Sequence, residues 1–168
     1  MEQISLDACA LIYLGKASLL EQILKTVSKV VIDQEVFEEV VVQGKAGGYA
    51  DAQAIEATLQ NYKIPIIVVN VQQELPFFRD KGETSTFLLS IENRVCVTSD
   101  RRAFTKFESR GAEVLRTDTL LFKLLLSQKI NYKIAASGLE ALLKVGGTTP
   151  ERFLVISRAM EEMIQIEE

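Results

Sequence analysis

Five short runs rich in β-branched residues alternate along this chain with segments of helical periodicity, and that alternation restricts the fold most. The runs are 2–6 (EQISL), 29–32 (KVVI), 64–71 (IPIIVVNV), 95–98 (VCVT) and 113–116 (EVLR). Between them lie helical patterns: ALIYLGKA and SLLEQILKTV after the first, QEVFEEVVVQ and Ala50–Tyr62 after the second. ETSTFLLSIEN precedes the fourth run and RRAFTKFESR follows it. Ser18, Asp33, Asp100 and Thr117 stand where helix N-caps are expected, and Glu83 opens its helix. GKAGG at 44–48 and RDKG at 79–82 read as loop and turn, and Gly111 as a helix stop. IPIIVVNV reads as a buried strand whose proline sits at its start.

Strands that alternate with helices pair in parallel, because each crossover helix returns the chain to the same edge. The expected fold is α/β, a three-layer α/β/α sandwich around a central, mainly parallel sheet of about five strands. Residues 1–130 carry the sheet. Residues 131–168 add helical patterns around LEALLKV and PERFLVISRAMEEM, expected to form a C-terminal extension packed on the same domain.

At 168 residues the chain supports one sizeable core. No apolar run approaches the roughly 20 residues of a membrane span. The start MEQISLDACALIYL lacks the basic end of a signal peptide, so a cytoplasmic protein is expected. Cys9 and Cys96 lie in apolar segments without metal-ligand spacing and read as buried thiols.

The chain contains 0 histidines. That excludes Ser-His-Asp and Cys-His nucleophiles, imidazole acid–base chemistry and His-ligated zinc. What is left is carboxylates, hydroxyls, lysines or a hard metal. A net charge of −4 argues against a broad nucleic-acid-binding surface, although clustered acids are compatible with a nuclease.

In a parallel sheet, ligands bind beyond the carboxyl ends of the strands, at a topological switch point. Asp7 directly follows the first run, and Asp100 follows VCVT after one serine, so both belong to that edge. Each is also explained as a plain N-cap. Glu83 in a first helical turn complements the helix dipole, and Glu39, beside Glu38, equally suits a solvated face. Spacing alone leaves open whether the two glutamates reach the same edge.

The order and context of these acids resemble a PIN domain, as found in VapC-type toxins and related small prokaryotic proteins. The matching pieces are ISLDACALIYL, VIDQEVFEEV, GETSTFLLSI and VCVTSDRRAF, and the resemblance covers roughly residues 2–128. It implies a catalytic and metal-binding set of Asp7, Glu39, Glu83 and Asp100. Glu39, followed by Val40 and six positions after Asp33, suits the second motif better than Glu38. The resemblance also implies hydroxyl support from Thr98 or Ser99.

The implied activity is a Mg²⁺- or Mn²⁺-dependent endoribonuclease holding one or two ions. Hard cations prefer oxygen ligands, and a metal-activated water attacks phosphorus without any histidine. Arg101, Arg102 and Lys106 are the candidate RNA-phosphate contacts, with Arg79, Lys81 and Lys45 also near the motifs. By resemblance alone, the protein would be the toxin of a toxin–antitoxin pair, meet a cognate antitoxin and form a homodimer. The alternatives are a non-catalytic interaction module of the same fold, and a phosphoaspartate receiver or phosphatase. The last is disfavoured because Asp7 stands alone and Cys9 occupies the second acid position of a DxD motif.

Overall fold

The structure is a computed structural model that describes residues 3–71, 78, 80–92 and 94–167. Its strands are β1 (Gln3–Leu6), β2 (Lys29–Asp33), β3 (Ile66–Ile67), β4 (Val95–Thr98) and β5 (Val114–Arg116). All neighbouring pairs are parallel, in the order β3-β2-β1-β4-β5. The fold is therefore α/β, and its sheet is parallel throughout. The chain winds outward from β1 to β3, then crosses back to β4, so the switch point lies between β1 and β4.

Alternation along the strands sends side chains to two different layers. Ile4, Leu6, Val95 and Val97 enter the large core. There they meet α1 (Ala8–Lys16), α2 (Leu20–Thr26), α5 (Ala50–Asn61) and α8 (Thr117–Leu126). On the opposite face Cys96 joins Phe78, Phe87 and Phe107, carried partly by α6 (Lys81–Ser90) and α7 (Arg101–Glu108). Those three rings stand 4.8–5.7 Å apart in tilted or edge-on contacts.

Helix α9 (Tyr132–Val145) packs on α1 and α8, and α10 (Pro150–Glu167) packs on α8 and α9. Gly138 permits the close approach of α9: a Cβ there would lie 3.1 Å from Leu19 and 3.2 Å from Leu121. Among the described residues no helix is long and apolar enough to cross a membrane.

Several local expectations are corrected. Residues 64–71 are not a buried strand: only Ile66–Ile67 pair, at the sheet edge, and Val68 is 79% exposed. Pro65 supplies no N–H to a ladder, and only its carbonyl is used, by Ile32 N–H. GKAGG is not all loop, because helical backbone continues from α3 (Gln34–Phe37) through a π-helical segment (Glu38–Gln43) into α4 (Gly44–Ala46).

Ser18 does not cap α2; it takes a left-handed φ of 57°, and Leu19 holds the cap position. Thr117 is the first residue of α8, with Arg116 before it. Helix α6 starts at Lys81, capped by Asp80, so Glu83 is its third residue. Arg79 lies outside the described residues.

Candidate active site

Asp7 is the N-cap of α1: its Oδ1 accepts the Ala10 N–H at 2.7 Å. Asp100 caps α7 in the same way, accepting from Arg102 N–H at 2.7 Å and Ala103 N–H at 3.2 Å. Both are strand-to-helix junctions, and β1 and β4 are neighbours, so the two caps stand side by side. Capping and convergence are thus not rival explanations here; the cap sets the direction in which each carboxylate points.

Thr98, the fully buried last residue of β4, joins the two acids. Its hydroxyl accepts the Asp100 N–H at 3.0 Å and hydrogen-bonds the Asp7 carboxylate. Ser99 points elsewhere, meeting the Thr117 hydroxyl at 2.6 Å.

One cavity of about 90 Å³ is lined by Asp7, Glu39, Glu83 and Asp100 together, with Thr86 and Phe107 on its wall. Of the adjacent glutamates, Glu39 lines this cavity, whereas Glu38 accepts a 2.8 Å bond from the Gln34 amide. The π-helical segment carrying both widens the turn, and such segments are often found at functional sites.

Asp33, legible in the sequence only as a cap, does more. It is buried and accepts from Val36 N–H at 3.0 Å, Ser85 Oγ at 3.0 Å and Thr86 Oγ1 at 2.7 Å. Those bonds tie α6 to the start of the helix that carries Glu39, which brings both glutamates to the edge held by Asp7 and Asp100. Only the TST run after Glu83 hinted at such a tether.

Electrostatics distinguish the acids. Burial pushes the Asp7 carboxyl up to about 7, aided by the charges of Asp100 and Glu39 and opposed by bonds from Thr98 and Ala10. Glu83 is bridged to Lys106, whose Nζ lies 3.0 and 3.2 Å from its two oxygens. Lys106 is therefore a counter-ion to Glu83 in this structure. Arg101 and Arg102 are exposed at the start of α7. Lys81 pairs with Glu35 at 2.8 Å and Lys45 with Glu56 at 2.7 Å. Cys96 is buried as expected, but Cys9 is half-buried and lines the cavity.

Among the described residues, no three Asp, Glu, Cys or His side chains form a ready-made metal cage. The donor set nevertheless suits a hard cation. Every candidate donor among the four acids is a carboxylate oxygen, and a bound divalent ion would offset the cost of charging Asp7, which comes first from burial and then from the nearby charges of Asp100 and Glu39. To ligate the ion, Glu83 would exchange the Lys106 ammonium for it.

A parallel sheet with carboxylates gathered at its switch point defines an acid-centred α/β protein. Comparison with protein-family models matches the PIN domain (DUF3368) over residues 3–161, and the chain belongs to that family. PIN domains are typically metal-dependent nucleases. The match extends past residue 128 through α9 and into α10. No curated protein matches the chain. A solved structure described as a domain of a functionally unknown protein from Methanocaldococcus jannaschii DSM 2661 is similar over 68% of this chain and 90% of that chain. Its identity is 16% and its TM-score 0.49.

Proposed function

We propose that this chain is a Mg²⁺- or Mn²⁺-dependent endoribonuclease acting in the cytoplasm, and that it is the toxin of a toxin–antitoxin pair. The observation that carries the nuclease reading is the meeting of Asp7, Glu39, Glu83 and Asp100 around one small cavity. Family membership supports it; the toxin role rests on resemblance.

When bound, one or two such ions would acidify a water and offset charge at phosphorus. Asp7 and Asp100 are the direct ligands in this reading, kept in register by the Thr98 hydroxyl. Glu39 and Glu83 would hold the ion directly or through water, or orient the nucleophile. Arg101 and Arg102, exposed beside Asp100, meet the RNA phosphates. A cognate antitoxin and a homodimer belong to the same reading; on α10, Leu154 and Val155 are 67% and 69% exposed and offer an apolar patch.

The deciding experiment is RNA cleavage with Mg²⁺ or Mn²⁺. Asp100→Asn keeps a side-chain oxygen for the α7 cap while removing the charge, so a folded variant is expected to cleave at least about ten-fold more slowly. Equal rates, or cleavage that persists in excess EDTA, would sink the reading.

The Glu83–Lys106 pair favours a second reading, in which an internal ammonium takes the place of the metal and the domain only binds a partner. Lys106→Met distinguishes the two. If Glu83 is a ligand, the variant binds Mn²⁺ about five-fold more tightly by calorimetry, the worth of one competing ion pair of roughly 1 kcal/mol. Unchanged Mn²⁺ affinity takes Glu83 out of the ligand set.

A further inference from the structure

Beside the carboxylate cavity lies a larger groove of about 510 Å³, and Glu39 lines both. The groove runs between the last turn of α1, the π-helical segment and the start of α5, lined by Lys16, Gln43, Tyr49 and Asp51 among others. We propose that it is a nucleotide subsite, in which a base next to the cleaved phosphodiester stacks on Tyr49. This deepens the nuclease reading and rests on it.

Three observations point to a base. Tyr49 is 68% exposed, although an aromatic ring of that size normally contributes to a core. Its backbone is also anchored. Its N–H donates to the Gly44 carbonyl at 3.0 Å, its carbonyl accepts the Ala52 N–H at 3.2 Å, and its ring lies 3.0–3.2 Å from where a Cβ on Gly47 would stand. Gly48, at φ +76°, makes the turn that sets this position, and the Lys45–Glu56 ion pair ties α4 to α5 behind it. An exposed aromatic on an anchored backbone suits base stacking, because less order has to be gained on binding.

The polar rim is the second observation. Among the described residues, the side chains of Lys16, Gln43, Tyr49 and Asp51 make no hydrogen bond or ion pair with the protein. Their donors and acceptors therefore remain available to a ligand. Charge and size give the third. Glu39 and Asp51 disfavour a phosphate deep in the groove, whereas Asp51 and Gln43 can accept from and donate to a base edge, leaving Lys16 for the backbone. A volume of about 510 Å³ lies within the range of small-ligand sites.

The test uses the full chain and a fluorescein-labelled pentaribonucleotide, with binding followed by anisotropy and cleavage by gel. Tyr49→Ala is expected to bind roughly ten-fold more weakly and Tyr49→Phe to bind as wild type, because stacking needs the ring and not the hydroxyl. Equal binding by wild type and Tyr49→Ala overturns the subsite, as does wild type that fails to bind the oligomer. A change in sedimentation of Tyr49→Ala with RNA binding unaltered also overturns it, and makes the groove a protein interface. Wild type that binds through Tyr49 but never cleaves keeps the subsite and removes the nuclease activity, so the two failures are distinguishable.

Discussion

Asp7→Asn is expected to melt later than wild type in EDTA at pH 8, yet to cleave RNA at least roughly 100-fold more slowly when Mn²⁺ is present. Both effects come from one buried charge. The Asp7 carboxyl is raised from 3.8 to about 7, so the folded, metal-free protein holds this proton more tightly than the unfolded chain does. Protonation therefore favours folding, and stability is lost as pH climbs from about 4 to about 7. The ceiling on that loss is roughly 4 kcal/mol.

Asparagine has the same shape, keeps an oxygen for the Ala10 N–H and carries no charge. A gain of roughly 5–10 °C at pH 8 is expected for a domain of this size. The gap should shrink as pH is lowered towards 4. Asp33 and Asp118 titrate in both proteins, so their contributions cancel in the difference. Melting curves from pH 4 to 8 with EDTA measure it; a gap that does not widen with pH would show that Asp7 carries no such strain. With Mn²⁺ the order should reverse, because only wild type gains binding energy.

Arg152→Ala is expected to cost about 3 kcal/mol or more, lowering the melting temperature by roughly 6–12 °C. Arg152 grips Asp118 with two bonds, Nε to Oδ2 at 2.7 Å and Nη2 to Oδ1 at 2.6 Å. Asp118 also accepts from the Thr148 hydroxyl and the Thr119 N–H, each at 2.6 Å, and its side chain is 1% exposed. Removing the arginine leaves a buried carboxylate short of its counter-charge, and that desolvation sets the size of the loss.

Burial alone would raise the Asp118 carboxyl, but the bonds from Arg152 and Thr148 bring it below the ordinary value. A depressed carboxylate adds stability above the unfolded value near 4, and that stability disappears as pH falls through the lower folded value. The penalty of Arg152→Ala should accordingly narrow towards pH 3. A penalty that is flat from pH 7 to 3 would mean that the lock between α8 and α10 is not electrostatic.

Much of the fold is legible because parallel β/α alternation leaves little freedom. KVVI and VCVT are fully formed strands, and Asp33 and Asp100 cap the helices that follow them. IPIIVVNV misleads because apolar composition does not report whether a strand has neighbours on both sides, and among the described residues β3 pairs only with β2. GKAGG misleads because a glycine pair suggests a turn, whereas the helix runs on to Ala46 before Gly47 and Gly48. Tyr49 falls between the GKAGG run and the Ala50–Tyr62 pattern, and nothing in one dimension marks it as exposed beside a groove.

The four acids divide along the same line. For Asp7 and Asp100 the sequence by itself determined the placement. A residue just after a parallel strand must lie at the carboxyl edge; that β1 and β4 are neighbours on that edge comes from the tertiary structure. For Glu39 and Glu83 only the tertiary structure decided. A helical residue's direction depends on the rotation and anchoring of its helix, here set by the π-helical turn, the Asp80 cap and the Asp33 bonds to Ser85 and Thr86. The Asp33 bonds join residues 52 and 53 positions apart, and no local pattern contains them.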